Sequence, residues 1–552
     1  MIKDEANMVI AIAQINYHIG NFQENTHKII TTIDQAKEAG ADLVVFPEIS
    51  IGGYLAKDMF RYATFLDACE DSIAQIAVHC QQIACIIGAP VRTKRNHAKQ
   101  LYNAALFIAE GQVQHSIHKT LLPDYDVFDE YRYFEPNDTF QCISYKGITI
   151  ALTICEDLWR SDLSSIYTKD PMRELVKQDP DLMINIAASP FSEDHFRTRQ
   201  AVVRNHINAY KLPAFYVNTI GAHADIIFDG RSMVFDREAT LVDVLAAFQE
   251  DLRYYRLVHK SITPLQEPTA VTELSSIARV HQALVLGIRD FFAKSGFKKA
   301  ILGLSGGIDS AVVAALACEA LGPENVLCVL LPSVYSTEHS LKDALDLVQA
   351  TGCLHEIVPI KTITETFDTV LAPVFKGKGM DITEENIQAR VRAVILMAIS
   401  NKHGYILLNT SNKSEAAVGY GTLYGDMAGA LGVIGDVFKT KVYELANYLN
   451  RNGEIIPKNT ITKAPSAELR PDQKDSDSLP EYAILDAVLH RYVELEWSAA
   501  AIIADGFEEA LVKRVIKLVS SAEFKRYQAP PILRVTRKAF GSGRVMPLVA
   551  KH

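Results

Sequence analysis

The hydrophobic and polar positions follow one pattern up to about residue 245 and a different pattern after about residue 270. Short apolar runs dominate the first part, at residues 8–15, 43–46, 84–89, 147–154, 182–187, 214–217 and 232–244. Runs of this length predict buried strands, whereas the spacing at 26–39 and 72–82 predicts helices. Many strands with few helices between them favour two sheets packed face to face, with helices outside.

The second part of the chain has the alternation of βαβ units. Its strand patterns lie at 326–331, 356–359 and 405–409, and its helical patterns lie at 273–293, 340–350, 382–401 and 441–450. Such alternation predicts a parallel sheet. Residues 254–270 interrupt all periodicity and include Pro264 and Pro268. We therefore predict a domain at 1–255, a linker at 256–270 and a second domain at 271–552.

Length and composition describe an ordinary globular chain of 552 residues, long enough for two domains. The 56 basic and 66 acidic residues give a formal net charge of −10, which does not favour nucleic acid as a partner. The first residues are not a signal segment, and no run of 18 apolar residues occurs. We expect no membrane association and a cytoplasmic location. Eight cysteines without a CxxC pair predict reduced thiols rather than a zinc site.

Residues 305–310 read SGGIDS, after the apolar run 300–304 and before the apolar-rich segment 308–321. A strand, a glycine-rich turn and a helix N-terminus in this order make an anion site. No Lys-Ser/Thr closes the loop as a Walker A motif requires. A lysine-free, hydroxyl-rich cradle suits an enzyme that splits ATP between its α and β phosphates and holds pyrophosphate as the leaving group. The alternative is a tight turn with glycines for backbone geometry alone, which would need neither the serines nor the aspartate.

Three apolar runs of the first part each end in a reactive side chain, namely Glu48, Lys119 and Cys155. At one sheet edge these groups fit covalent acyl transfer. The thiol attacks a carbonyl, the carboxylate moves protons, and the ammonium stabilises charge on the tetrahedral oxygen. Taken singly, a cysteine in a strand is more often a small buried hydrophobe, and a strand-end glutamate or lysine is usually solvated. The joint order of the three favours chemistry.

These motifs carry a resemblance to known families. SGGIDS resembles the PP-loop of the ATP pyrophosphatases, and the Glu-Lys-Cys set within FPE, HKTLLP and ICEDLW, together with NIAASPF, resembles the glutamine-hydrolysing branch of the nitrilase superfamily. In this order, over essentially the whole chain, the two resemble the glutamine-dependent NAD synthetases. The resemblance implies an α/β fold, with an N-terminal nitrilase-like α-β-β-α sandwich and a C-terminal PP-loop ATP pyrophosphatase domain whose parallel sheet is flanked by helices.

The resemblance also implies an activity, that of a carbon–nitrogen ligase with glutamine as amido donor. Such an enzyme hydrolyses glutamine to ammonia, adenylates deamido-NAD with ATP, and amidates it to NAD with release of AMP and pyrophosphate. Mg²⁺ is the implied cofactor, and we expect a homo-oligomer with ammonia channelling between the sites. Two alternatives stay open: a nitrilase-type amidase with a nucleotide-sensing C-terminal domain, and a non-catalytic scaffold. Intact reactive positions favour the ligase.

Motif matching implies the remaining site residues. In the first domain Glu130 is a supporting carboxylate, and the glutamine pocket includes Tyr125, Ser189 and His195, the last standing where the family commonly has a lysine. The implied ATP site comprises Gly303, Leu304, Ser305, Gly306, Gly307, Ile308, Asp309, Ser310, Thr410 and Lys441. The implied deamido-NAD site comprises Asn386, Glu415 and Lys525, and the implied Mg²⁺ ligands are Asp309 and Glu415. Capping, strand-end or solvated roles are the alternatives for Asn386, Thr410, Lys441 and Lys525.

Overall fold

The computed structural model describes residues 7–93, 99–159, 167–268, 274–471 and 473–550. The chain divides into two compact units. One consists of Met1–His223 with Ile227–Glu273, and the other consists mainly of Leu274–His552.

The first unit is built from many strands and few helices. Its strands are β1 (Asn7–Gln14), β2 (Leu43–Val45), β3 (Ala84–Arg92), β4 (Leu101–Ala109), β5 (Gln112–His118), β6 (Ile143–Tyr145), β7 (Ile148–Ile154), β8 (Leu182–Ala187), β9 (Ala214–Asn218), β10 (Ile220–His223), β11 (Ile226–Asp229), β12 (Met233–Phe235), β13 (Leu241–Val244), β14 (Asp251–Val258) and β15 (Ser261–Pro264). Its helices are α1 (Phe22–Glu38), α2 (Ala63–His79), α3 (Pro171–Leu175) and α4 (His195–Tyr210).

Two sheets form the centre of this unit. One has the order β15-β14-β1-β2-β3-β4-β5, and the other has the order β13-β12-β9-β8-β7-β6. Ile12 and Phe107 of the first sheet share one buried core with Leu152, Ile184 and Phe215 of the second. Helix α2 packs on β3, and α4 packs on β9. This arrangement confirms the predicted α-β-β-α sandwich, because apolar faces of two sheets bury each other and leave their outer faces to helices.

The sandwich extends further along the chain than predicted. Strand β14 pairs antiparallel with β1, from Asn7 opposite Val258 to Gln14 opposite Asp251, and β15 continues the same sheet. Residues 256–264 of the predicted linker therefore form an edge hairpin of the first unit, so the domain boundary lies later than the sequence indicates. The hairpin buries only alternate side chains, such as Tyr255 and Leu257, and this weakens its apolar signal.

The second unit alternates strands and helices. Its strands are β16 (Ala300–Gly303), β17 (Val326–Leu330), β18 (Leu354–Ile357), β19 (Ile406–Asn409) and β20 (Leu431–Gly432). Its helices are α5 (Ser276–Ser295), α6 (Ile308–Leu321), α7 (Glu338–Thr351), α8 (Lys361–Phe375), α9 (Ile382–His403), α10 (Lys413–Val418), α11 (Lys439–Leu449), α12 (Lys458–Thr462), α13 (Tyr482–Leu489), α14 (Ala499–Ala504), α15 (Glu509–Ser521) and α16 (Glu523–Arg526).

The sheet of this unit has the order β18-β17-β16-β19-β20, and every pair is parallel. The predicted parallel sheet is thus confirmed. The strand order reverses beside β16, and in open α/β sheets ligands bind outside the carboxyl ends of the strands at such a point. Residues 305–310 follow β16, so the fold places the glycine-rich loop at this position.

Two global features complete the description. No helix in the described part of the chain is both long and apolar enough to cross a membrane. The eight cysteines all fall within the described ranges, where each is buried and none is in a disulfide.

Candidate active sites

Lys119 is the centre of a closed cluster of charges in the first unit. It follows β5, and its Nζ donates to Glu48 Oε1 at 2.7 Å and to Glu130 Oε1 at 2.6 Å. All three side chains are buried. Burial by itself lowers the pKa of Lys119, but Glu130 and Glu48 outweigh it and hold that pKa well above its usual value. Lys119 is therefore a permanent positive charge in a buried site.

Two polar side chains that the sequence analysis missed complete this cluster. Asn103 Nδ2 donates to Glu48 Oε1 at 2.7 Å and to Glu130 Oε2 at 3.2 Å, and Tyr54 OH donates to Glu130 Oε1 at 2.5 Å. The backbone N–H of Ala188 donates to Glu48 Oε2 at 2.9 Å. The available signal was the asparagine in the otherwise apolar strand β4, because a buried amide must find hydrogen-bond partners.

Cys155 lies directly after β7, at the start of a short 3-10 turn formed by Cys155–Leu158. Its φ is +42°, which is uncommon for a residue with a side chain and is held here by the surroundings. Asp157 fixes the turn. Its Oδ1 accepts from Thr120 N and Leu121 N, both at 2.9 Å, and its Oδ2 accepts from Ile154 N at 3.1 Å. The thiol is thereby tied to the backbone that follows Lys119.

The charges of the Lys119 cluster act on the thiol of Cys155. Burial, followed by the charge of Glu48, raises the pKa of the Cys155 thiol well above its usual value, and Lys119 acts in the opposite direction. The thiol is therefore neutral at rest and must pass its proton to a base as it attacks. Glu48 is the carboxylate whose charge acts most strongly on it. The structure thus brings together the predicted catalytic residues and the predicted supporting carboxylate.

The predicted glutamine-pocket residues lie around the same turn. Tyr125 OH donates to Glu156 Oε1 at 2.9 Å, next to the thiol. Ser189 Oγ lies 3.0 Å from His195 Nε2, and the His195 ring stacks on Trp159 with centroids 5.1 Å apart. Glu156 and Trp159 follow Cys155 within the same turn and its C-cap, so the structure gathers Tyr125, Ser189 and His195 close to the nucleophile.

A cavity of about 310 Å³ opens beside the glycine-rich loop of the second unit. The predicted residues that line it are Gly303, Leu304, Ser305, Gly307, Ile308, Asp309, Ser310, Thr410 and Glu415. Gly306 belongs to the loop but does not line the cavity. It has φ +78°, and a Cβ there would come within 2.2 Å of Ser340 O, so only glycine fits. Ser305 Oγ accepts from Gly307 N at 3.2 Å, which fixes the turn.

A second buried lysine stands between two carboxylates at this cavity. Lys439 Nζ lies 2.5 Å from Asp309 Oδ2 and 3.3 Å from Glu415 Oε1, and Asn412 Nδ2 donates to Asp309 Oδ1 at 2.9 Å. Burial lowers the pKa of Lys439, but Asp309 and Glu415 more than reverse this. Burial also raises the pKa of Glu415 to about 8, with Lys439 opposing and the charges of Asp309 and Asp475 assisting.

The structure does not bring Lys441 to this cavity, so its contact with ATP stays a prediction. Its Nζ lies 3.0 Å from Glu444 Oε2. Among the described residues that line the cavity, Lys441 does not occur. The lysine of this helix that lines the cavity, beside Asp309, is Lys439. Residues two apart on a helix point in different directions, so α11 can present only one of the two lysines to Asp309.

Two of the three predicted deamido-NAD residues lie together. Lys525 and Glu415 line a small cavity of about 40 Å³ that shares lining residues with the larger one. Lys525 Nζ donates to Gly419 O at 2.8 Å and to Gly421 O at 2.7 Å. Asn386 lines neither of these two cavities. Its Oδ1 accepts a hydrogen bond from Thr422 Oγ1 at 2.7 Å.

Six charged residues of the described cavity lining escaped the sequence analysis, namely Arg392, Asp426, Lys439, Lys463, Glu468 and Asp475. Burial lowers the pKa of Arg392 to about 10. Asp475 accepts from Tyr482 OH at 2.8 Å and from Tyr420 OH at 3.1 Å. No local pattern marks these positions, because their surroundings come from distant parts of the chain.

Comparisons with known proteins match each of the two units to a family. Residues 9–266 match the carbon-nitrogen hydrolase family, and residues 280–529 match the NAD synthase family. The chain is therefore a two-domain enzyme that joins a hydrolase of carbon–nitrogen bonds to a ligase domain. It is 44% identical to the glutamine-dependent NAD(+) synthetase of Synechocystis sp. and 38% identical to that of Acinetobacter baylyi, over 98% of each chain in both cases. It belongs to the glutamine-dependent NAD(+) synthetase family.

Solved structures support the same conclusion. A glutamine-dependent NAD+ synthetase from Acinetobacter baumannii, in complex with adenosine diphosphate, is 36% identical with a TM-score of 0.78 over 98% of both chains. A second one, from Cytophaga hutchinsonii, shares the fold with a TM-score of 0.83, over 99% of this chain and 98% of that one, at 21% identity. The resemblance inferred from the motifs is thereby confirmed.

Proposed function

We propose that the two sites divide glutamine-dependent NAD synthesis between them. The first unit hydrolyses glutamine, and the second unit adenylates deamido-NAD with ATP and converts the adenylate to NAD with the ammonia. The observation that carries this division is the presence of two separate lysine-centred sites, one beside a buried thiol and one beside a phosphate-binding loop. Ammonia channelling between them remains a prediction.

In the first site Cys155 Sγ attacks the side-chain amide carbon of glutamine. Its proton passes to Glu48, which protonates the leaving ammonia, and a thioester forms. Glu48 then takes a proton from water as the water attacks the thioester. The carbon–sulfur bond breaks, Glu48 returns the proton to Cys155 Sγ, and glutamate leaves. Lys119 stabilises the tetrahedral oxygen, and Glu130 holds Lys119 in place from the other side. Tyr125, Ser189 and His195 orient the glutamine.

In the second site the backbone of residues 305–310 and the N-terminus of α6 hold the phosphates of ATP. A nicotinate carboxylate oxygen attacks the α-phosphorus, the bond to the β-phosphate breaks, and pyrophosphate leaves. Ammonia then attacks the carboxyl carbon and AMP leaves. Thr410 contacts ATP, and Glu415 and Lys525 contact deamido-NAD. The role of Asn386 is supported by its motif alone.

Mg²⁺ fits the carboxylates on the cavity wall. This ion is usually bound by one or two carboxylates plus substrate phosphates. Asp309 and Glu415 supply two carboxylates, and the described residues contain no group of three or more acidic, histidine or cysteine side chains arranged for a metal. Substrate phosphate oxygens and water would complete the coordination. The ion would neutralise phosphate charge, while Lys439 holds the two carboxylates together.

An exposed apolar surface supports a homo-oligomer. Helix α8 has no buried residue, and its Phe367, Val370 and Val374 are exposed. Leu354 and Ile357 of β18, the edge strand before it, are also exposed. An exposed apolar helix and an open sheet edge favour association with another chain. We expect Val370→Glu to reduce the assembly mass seen by light scattering, and an unchanged mass would exclude this surface. A cytoplasmic location stays a prediction that the buried thiols support.

Cys155→Ala tests the division of labour. We expect it to abolish NAD synthesis from glutamine and to leave synthesis from ammonium intact, because the thiol serves only the first site. Cys142→Ala, which removes another buried thiol, should retain both activities. A folded Cys155→Ala protein that also lost ammonium-driven synthesis would contradict the proposal. Absence of AMP formation by the unmodified protein would instead favour an amidase with a nucleotide-sensing domain.

A further inference from the structure

The glycine-rich loop has no lysine of its own, yet the cavity beside it has three cationic side chains among its described lining residues, Arg392, Lys439 and Lys463. A triphosphate carries several negative charges, so cations near the loop decide how the phosphates are held. These three side chains differ in how closely acidic or polar groups of the protein already pair with their positive charge.

Lys439 and Arg392 have buried protein partners. Lys439 stands between two carboxylates, with its side chain 2% exposed. Arg392 is half-buried and donates from Nε to the carbonyl oxygen of the buried Leu331 at 3.1 Å. Lys463 is different, because its side chain keeps 26% of its surface exposed. Its nearest carboxylate oxygen, on Asp343, lies 3.6 Å away and also accepts from Asn459 at 2.6 Å.

The hydroxyl group of Ser340 orients the ammonium group of Lys463. Lys463 Nζ donates to Ser340 Oγ at 3.0 Å, and the same hydroxyl donates to Glu468 Oε1 at 2.5 Å. A serine that accepts from the lysine and donates to the glutamate holds the ammonium in place with a neutral partner. The charge of Lys463 is therefore oriented without being directly neutralised at that contact.

Ser340 also locates Lys463 relative to the loop. The carbonyl oxygen of Ser340 lies against Gly306, where an added Cβ would come within 2.2 Å of it. Thr460 Oγ1, three residues before Lys463, lies 3.5 Å from Gly306 O. Lys463 therefore stands on the Gly306 side of the loop, whereas Lys439 stands on the Asp309 side.

We propose that Lys463 binds the β- and γ-phosphates of ATP and the pyrophosphate formed from them. This inference rests on the proposed function of the second site. When the nicotinate carboxylate attacks the α-phosphorus, the α–β bridging bond breaks and its electron pair leaves with pyrophosphate. Lys463 supplies the positive charge next to that leaving group, from a segment far along the chain from the loop.

The test compares pyrophosphate with AMP. Pyrophosphate is titrated into the full-length protein, and AMP is titrated separately. We expect Lys463→Gln to weaken pyrophosphate binding about tenfold to a hundredfold, the effect of removing one charged hydrogen-bond partner, and to leave AMP binding unchanged. Lys463→Arg should retain most of the affinity because it keeps the charge. Lys342→Gln, on the exposed face of α7 where Lys342 pairs with Asp346, is the matched control and should bind both ligands normally.

A second measurement uses the unmodified protein and does not depend on the variant folding. Bound pyrophosphate should protect Lys463, and not Lys342, from acylation of its amine, as measured by mass spectrometry. Unchanged pyrophosphate affinity in Lys463→Gln, equal weakening of pyrophosphate and AMP, or no protection would each overturn the inference. Failure of the proposed function would be visible separately, as an unmodified protein that forms no NAD from deamido-NAD, ATP and ammonium.

Discussion

Each unit holds a buried lysine between two carboxylates, but the two arrangements face different surroundings. Lys119 lies between Glu48 and Glu130, whose side chains are 0% and 2% exposed. Lys439 lies between Asp309 and Glu415, whose side chains are 19% and 15% exposed and line a cavity. The first cluster is closed on itself, whereas the second presents its carboxylates to a ligand.

The difference follows from what each site must do. Covalent attack on a small amide needs a fixed positive charge and a base in a dry environment, where electrostatic interactions are strong and no reorganisation is needed. Adenylation needs space for two nucleotides and carboxylates that can meet a metal ion and phosphates. A lysine between two carboxylates is therefore a closed cluster in the first unit, whereas in the second unit the same arrangement forms part of a cavity wall.

The largest effect is expected from Lys119→Met, which leaves Glu48 and Glu130 facing each other without a cation. Glutamine hydrolysis should fall by roughly a thousandfold, and stability of the first unit should fall by about 3–5 kcal/mol because a buried charge loses its partner. Glutaminase assays and thermal melting measure both. Lys37→Met, at an exposed ion pair on α1, is the control. Retention of a tenth of the glutaminase activity would show that the closed cluster is not required.

Lys439→Gln should lower NAD synthesis from either nitrogen source by about a hundredfold, through loss of a buried charge at the reacting groups. Glutamine hydrolysis should persist. Lys441→Gln should have a much smaller effect, since Lys441 pairs with Glu444 away from the cavity lining. Steady-state rates with ammonium decide between the two lysines. A larger loss in Lys441→Gln would support the assignment made from the motif and contradict the one made from the geometry.

Gly306→Ala tests whether the open site depends on close backbone packing. Its methyl group would meet Ser340 O, so we expect the KM for ATP to rise about tenfold, in line with a strain of about 1–3 kcal/mol. Gly352→Ala at the end of α7 is the control, since φ there is +72° but nothing lies within 4 Å of the added carbon. It should cost about 1 kcal/mol of stability and leave the KM for ATP unchanged. Equal KM values in the two variants would argue against a tight loop.

An effect of similar size is expected from Asp157→Asn, which weakens the anchoring of the Cys155 turn. Glutaminase activity should fall about tenfold at pH 8, the cost of one hydrogen bond to a charged acceptor. Burial raises the pKa of Asp157 to about 7, against its backbone hydrogen bonds, so the carboxylate accepts fully only above that pH. The ratio of unmodified to variant activity should therefore shrink as the pH falls from 8 to 6. A ratio that grew over this range would show that the carboxylate is not the functional form.

The sequence by itself determined the features that depend on local pattern. The strand patterns before Glu48, Lys119 and Cys155 and the string SGGIDS could be recognised from neighbouring residues, although β5, the strand before Lys119, is mostly exposed. The βαβ alternation determined the parallel sheet of the second unit. These signals were sufficient for both domains and for the reactive core of the first site.

The tertiary structure decided the features that depend on residues far apart in the chain. Asn103 contacts Glu48 across 55 positions, and Lys439 contacts Asp309 across 130. Only the packing of α11 against α6, the helix that follows the glycine-rich loop, selects Lys439 over Lys441. Only the pairing of β14 with β1 makes residues 256–258 part of the sandwich. The partner of a side chain depends on which elements pack together in the tertiary structure. A local pattern of apolar and polar positions does not specify that packing.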